Sequence, residues 1–198
     1  MVNNGCYHIK HERESIMSKK VFVAIADGTE ELEAVTIIDV LRRAKADVTV
    51  ASVGAKQVKA SRGVNLVADA LISECVGNTY DLIALPGGMP GAEHLRDSKE
   101  LIDLLRAQAD SGRLYAAICA SPAVALKPHG LLKDKKATCY PSLLSDLHNA
   151  QQAKVVVDGN CITSQGPATA LEFALKLVEL LLDKQKSQEV AKAMLAIE

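Results

Sequence analysis

Tryptophan is absent from this 198-residue chain, and its aromatic residues, two Phe and four Tyr, make up only 3% of it. A core must therefore be filled mainly by Val, Leu, Ile and Ala, an inventory that suits a parallel sheet buried on both faces by helices. C-x-x-C pairs are absent as well, and the five cysteines are an odd number. Both facts disfavour a disulfide framework and a zinc knuckle, so reduced thiols in a cytosol-like compartment are expected. An excess of one charge is also missing. The net charge is −1, which makes no electrostatic case for nucleic acid or an anionic membrane as partner. No apolar run reaches the ~18 residues of a membrane span. The longest, around Ala116 to Leu126, is cut by Ser121 and Pro122. The first eighteen residues lack the apolar core of a secretory signal, and Glu12 and Glu14 speak against a mitochondrial presequence. Residues 1–18 are expected to form a disordered tail, with Met17 an alternative start, and residues 19–198 a single domain. A cytoplasmic protein is expected, with an organelle left open by the tail.

What is present is an alternation of strand and helix patterns. Val21–Ile25 reads as a buried strand, and Glu30–Ala44 as a helix with Ala34, Ile37, Ile38 and Leu41 on one stripe. Asp47–Val53 is a second strand, and Gln57–Ala60 with Val64–Val67 a short hairpin. Asp81–Leu85 is a buried strand stopped by Pro86-Gly87-Gly88, and Ser98–Ser111 a helix stopped by Gly112. Strand 114–118 runs into a helix beginning near Pro122. A short strand at Ala137–Cys139 and a helix from Pro141 to Asn149 follow. Val155–Val157 and Cys161–Thr163 flank an Asp158-Gly159 turn signal. Helices over Ala168–Asp183 and Ser187–Ala196 close the chain. The pattern predicts an α/β fold, a mostly parallel sheet with helices on both faces.

Cys119 stands out because it joins a strand end to a helix start. Unpaired N–H groups and the positive end of a helix dipole favour thiolate there. Ala117 and Ser121, two residues to either side, are small, as a sharp nucleophile turn requires. Open α/β sheets bind ligands beyond the carboxyl ends of their strands. Three segments lie at such ends: Ala26–Thr29, Pro86–Gly91 and Cys119 itself. The amides of Gly87, Gly88 and Ala120 are candidates to hold an oxyanion formed when Cys119 attacks a carbonyl; the alternative is a turn that merely ends a strand. Glu33 precedes the apolar stripe of its own helix. Either it tips into solvent and complements the dipole, or it is buried with a raised pKa and its proton bonds to Cys119. Of the other cysteines, Cys161 reads as core, Cys75 as an exposable loop or helix-end thiol, Cys139 as a possible neighbour of the site, and Cys6 as tail. His8 and His11 fall in the tail. His94, His129 and His148 read as surface or loop residues, so no Cys–His pair is local.

These residues carry a resemblance. Gly28-Thr-Glu-Glu-Leu-Glu-Ala34, Asp39-Val-Leu-Arg-Arg43, Ser61-Arg-Gly63, Leu85-Pro-Gly-Gly88, Ala116-Ala-Ile-Cys-Ala-Ser-Pro122 and Thr163-Ser-Gln-Gly-Pro167 are similar to the ThiJ/PfpI superfamily, in its Parkinson-disease protein deglycase and YajL branch. The similarity runs from Lys20 to about Ala196. It implies a flavodoxin-like three-layer sandwich and a homodimer. It implies that Cys119 is an oxidisable nucleophile, that Glu33 is its protonated partner, and that Gly87, Gly88 and Ala120 present amides around the thiol. The activities it implies are cofactor-free, with no metal. They are conversion of methylglyoxal to lactate, repair of early glyoxal adducts on proteins and nucleotides, oxidative-stress sensing and chaperoning.

Three positions depart from the branch. Tyr140, expected at the substrate site, stands where many relatives have His, and a phenol is a poor base near neutral pH. Gln165 replaces an Arg of the animal proteins, and Ala168 a Gly. Ala120 stands where protease-type relatives have His, which argues against a peptidase. The leading expectation is a cysteine-dependent glyoxalase or deglycase. The alternative is a redox sensor or chaperone in which Cys119 is oxidised to a sulfinate. A catalytically silent member is a third reading.

Overall fold

The computed structural model describes residues 18–198; the expected tail, apart from its last residue, lies outside them. Along the chain come β1 (Lys20–Ile25), α1 (Glu31–Arg43), β2 (Asp47–Ser52), the hairpin β3 (Gln57–Lys59) and β4 (Asn65–Val67), β5 (Ala70–Leu71) and β6 (Leu82–Leu85). Then follow α2 (Gly91–Asp97), α3 (Lys99–Asp110), β7 (Leu114–Ile118), β8 (Lys136–Ala137), β9 (Asn149–Ala150), β10 (Val155–Asp158), β11 (Cys161–Ser164), α4 (Ala170–Leu181) and α5 (Lys184–Ala193). Seven strands form one sheet in the order β10-β11-β7-β6-β1-β2-β5. All pair in parallel except β10, which turns back on β11 through the Asp-Gly corner. Gly159 sits there at φ 61°, a left-handed value that glycine tolerates without strain.

Alternation along β1 builds the two sides of the sandwich. Val21, Val23 and Ile25 join the cluster under α1, α4 and α5. Phe22, Ala24 and Ala26 join the one under α2 and α3. All six are essentially inaccessible to solvent. Each large aliphatic side chain so buried stabilises the fold by ~1.5–3 kcal/mol. Ser98 caps α3 by accepting from the Leu101 amide, and Asp183 caps α5 by accepting from the Lys186 amide. This is the flavodoxin-like α/β sandwich that the pattern and the resemblance imply. Among the described residues, no helix is long and apolar enough to cross a membrane.

Several local expectations need correction. The helix after Cys119 is one π turn, Pro122–Leu126, followed by a 3-10 turn, Lys127–His129. Pro128 cannot continue a regular ladder, and Gly130 at φ 76° ends the run. The expected helix 141–149 is a 3-10 stretch, Pro141–Asp146, followed by β9, which pairs with β8. Leu143, Leu144 and Leu147 have helical spacing, but Leu147 is already extended. α2 and β5 were not expected. At seven and two residues they are too short to show a period, and the Pro-Gly start of α2 reads as a turn. Cys75 is buried, not exposable, because the 3-10 turn Ile72–Glu74 folds it under the sheet beside Tyr80.

Candidate active site

In the sheet, β1 and β6 are neighbours, but the chain leaves β1 towards β2 on one side and β6 towards β7 on the other. That reversal is a topological switch point, and the crevice it opens is where open α/β sheets take ligands. The loops leaving β1 and β6 meet there, with Cys119 at the end of β7 beside them. The Glu30 amide donates to the Gly87 carbonyl (2.9 Å), and the Ser61 amide to the Thr29 carbonyl (2.8 Å). A Cβ on Gly88 would collide with the Gly28 carbonyl and the Glu30 amide, and one on Gly87 would lie 2.6 Å from the Cys119 Cβ. Glycine is required at both positions because three strands of backbone converge with no room between them.

Cys119 has φ 64°, left-handed and uncommon for a residue with a Cβ. Such a conformation costs about 1–3 kcal/mol and persists only where its surroundings enforce it. Here the Cys119 amide donates to Ser164 of β11 (3.0 Å), and its carbonyl accepts from the Tyr140 amide (2.8 Å). The Ser121 hydroxyl donates to the Pro86 carbonyl (2.6 Å). The turn therefore aims the thiol into the crevice, only slightly accessible at 9%.

Glu33 lies beneath it with no solvent exposure. The Gly87 amide donates to Glu33 Oε2 (2.7 Å), while Oε1 accepts nothing. Burial raises the carboxyl pKa to about 7, against the Gly87 amide and the Cys119 hydrogen bond; the charge of Glu30 adds to the rise. Of the two readings of Glu33, the buried one is the one found. The thiol moves the same way. Burial, then the charge of Glu33 and the hydrogen bond to it, push Cys119 up to about 12, against the amides of Gly88 and Ala120. This corrects the expectation of a thiol lowered by its local field. The helix that was to supply a dipole is two short irregular turns, and burial outweighs two amides. The pair thus behaves as one unit with a proton to share. When Glu33 keeps that proton its charge no longer opposes the thiolate, and the two amides remain to stabilise it.

The placement of the remaining candidates divides them. Gly88 and Ala120 turn their amides to the sulfur. Gly87 does not belong with them as an oxyanion donor, because its amide is committed to Glu33. Tyr140 is half exposed, with its ring edge 3.5 Å from the Cβ position of Gly166. A cavity of about 520 Å³ opens over the thiol, and Gly88, Ala120 and Tyr140 line it. Sequence reasoning missed Glu30, Ser61, Arg62, Met89 and Leu143 in the same lining. The Ser61-Arg-Gly63 turn was a signal that could have found two of them. Ser61 donates to Glu30 (2.6 Å) and to Glu31 (3.0 Å). Burial pushes Glu31 up, but hydrogen bonds from its own amide, the Arg62 amide and Ser61 outweigh it and hold the carboxylate below its usual range. Gln165 is absent from the lining. His94 bonds the Asp27 carbonyl and His129 the Arg96 carbonyl, both away from the thiol. Cys139 and Cys161 are buried in the core under α2 and α3, whereas Cys119 belongs to the opposite cluster. A second cavity, about 500 Å³ beside Asp27 and His94, contains no thiol in its lining.

A doubly wound α/β sandwich with a strained cysteine turn over a buried carboxyl is the class that this fold and site define. The chain belongs to the DJ-1/PfpI family, whose family model matches residues 19–180. It is 53% identical to Protein DJ-1 homolog B of Arabidopsis thaliana over 89% of its own length and 41% of that protein's. Protein dj-1beta of Drosophila melanogaster is 46% identical, covering 90% of this chain and 98% of the relative. Glutathione-independent glyoxalase DJR-1.2 of Caenorhabditis elegans is 34% identical over 85% and 91%. The chain spans under half the length of the two Arabidopsis relatives it matches. Among solved structures, oxidized Toxoplasma gondii DJ-1 superposes with a TM-score of 0.89 at 49% identity, covering 90% of this chain and 98% of that one.

Proposed function

We propose that the protein is a cofactor-free glyoxalase acting on methylglyoxal, with early glyoxal adducts of proteins or nucleotides as further substrates. The observation that carries this reading is the Glu33–Cys119 pair, buried together under a small cavity, with the amides of Gly88 and Ala120 on the sulfur. The relative named a glutathione-independent glyoxalase supports it. The sulfur attacks the aldehyde carbon of methylglyoxal, and the thiol proton passes to Glu33. The aldehyde oxygen becomes an oxyanion beside the two amides and then takes that proton, giving a hemithioacetal. Glu33, again ionised, removes the hydrogen from the sulfur-bonded carbon and returns it to the neighbouring carbonyl carbon, while the hydroxyl proton moves from the first oxygen to the second, leaving a lactoyl thioester. Water hydrolyses the thioester to lactate and restores the thiol. Each atom of methylglyoxal and one water are recovered in lactate. Tyr140 at the cavity wall is positioned to donate a hydrogen bond to the substrate, not to act as its base. The homodimer belongs to the same proposal, and the exposed Leu32 and Val35 of α1 are apolar surface available to it.

One observation favours a second reading. The groups that would cradle an oxyanion on carbon would equally cradle oxygens on sulfur. Two equivalents of peroxide would convert the thiolate through sulfenate to sulfinate, each releasing one water. The relative from Toxoplasma gondii is described as oxidized. One experiment separates the two. Purified protein is given excess methylglyoxal, and lactate is counted per thiol. Many turnovers that vanish in Cys119→Ala with the fold intact support the enzyme. A single covalent modification without turnover, or full activity in the variant, overturns it.

A further inference from the structure

The thiol lies at the carboxyl ends of the strands. At the other end of the sheet, where β7 and β11 begin, the loop 130–135 separates two more concavities. The larger, about 410 Å³, is lined by Arg106, His129, Lys133 and Lys135, with Asp110 as the one carboxylate in its lining. The smaller, about 220 Å³, shares Lys133 and Lys135 and adds Lys127 and His148 against Leu132 and Leu147. Four permanent cations thus face one acid in a chain whose net charge is −1. Lys135 Nζ donates to the Asp158 main-chain carbonyl (3.3 Å), the Asp158 carboxylate accepts from the Lys136 amide (2.8 Å), and Asp134 lines neither concavity. Among the described residues, Arg106, Lys127, Lys133 and Lys135 take part in no ion pair.

Cations that outnumber the acids beside them repel one another, and a bound anion relieves that repulsion. The planar fork of Arg106 matches the geometry of phosphate oxygens, and the lysines add point charges around it. The surface is broken into small open concavities, which suit a compact ligand better than a duplex or a bilayer. We infer that this end of the sheet is a binding site for a phosphate-bearing small molecule, its anionic group held by Arg106, Lys133 and Lys135. The site stands apart from the thiol cavity and shares no lining residue with it.

Titration calorimetry of the full chain with inorganic pyrophosphate at low ionic strength tests this. Wild-type protein is expected to bind one pyrophosphate. Arg106→Ala combined with Lys133→Ala is expected to weaken binding about tenfold or more, since charge-assisted hydrogen bonds are lost. Lys184→Ala combined with Lys192→Ala removes the same charge from exposed positions on α5 and should leave binding unchanged. No heat with the wild-type protein, or equal weakening in the two double variants, overturns the site. The alkylation rate of Cys119 should be the same in all three proteins, so failure here is distinguishable from failure of the proposed chemistry.

Discussion

Glu33 Oε2 accepts the Gly87 amide and Oε1 accepts nothing, although both atoms are buried. Oε1 is therefore the oxygen free to carry the proton, and the thiol of Cys119 is the carboxyl's side-chain neighbour. The carboxyl is therefore asymmetric: one oxygen is an acceptor, the other a donor in waiting. Glu33→Gln keeps both roles in hydrogen bonding, since its carbonyl can accept from Gly87 and its amide can donate to sulfur, but it cannot exchange a proton. Turnover of methylglyoxal is expected to fall about 10²- to 10⁴-fold, the usual share of a general acid–base group. A steady-state lactate assay checks it. A Gln variant within a fewfold of wild type would remove Glu33 from the proton path.

Among the elements, the loop after β6 is the most constrained. Gly88 has φ 89°, and its missing Cβ is the space in which the loop after β1 lies. Gly88→Ala combines a left-handed alanine with a backbone collision. It is expected to destabilise the protein by roughly 2–5 kcal/mol. Gly77 offers an internal control. Its φ is 87°, but nothing lies within 4 Å of its Cβ position. Gly77→Ala carries the conformational penalty alone, about 1–2 kcal/mol. Denaturant midpoints of the two variants measure the difference. Equal losses would mean that the loops after β1 and β6 are not in the close contact described. The irregular turns after Cys119 belong to this scale too: Pro128 keeps the segment from becoming a long helix, so local amides, not a macrodipole, act on the sulfur.

For the molecule as a whole, burying Glu33 links stability to pH. Its carboxyl has a pKa of about 7 in the folded protein against an ordinary value of 4.5. Between those values the folded state holds a proton that the unfolded chain has released. This contribution is therefore complete below about pH 4.5 and is lost as pH rises towards 7, a fall of about 3 kcal/mol. Glu33→Gln has no such proton. Its stability relative to wild type should improve by about 2–3 kcal/mol between about pH 5 and about pH 8, read from urea unfolding. A difference that does not change with pH would mean that Glu33 is ionised throughout. The sequence alone determined much at this scale. Aliphatic runs at β1, β6 and β7, the stripe of α1 and the Asp158-Gly159 corner are periodic or local signals, and local backbone preference decides them. It also singled out Cys119, because small neighbours at a strand-to-helix turn are a local requirement. Only the tertiary structure decided that Glu33 is buried, that Gly87 serves the carboxyl instead of an oxyanion, and that Ser61 and Arg62 reach the thiol cavity. Those facts depend on which loops the crossovers bring together and on the desolvation that follows, and neither is written in the spacing of residues along one segment.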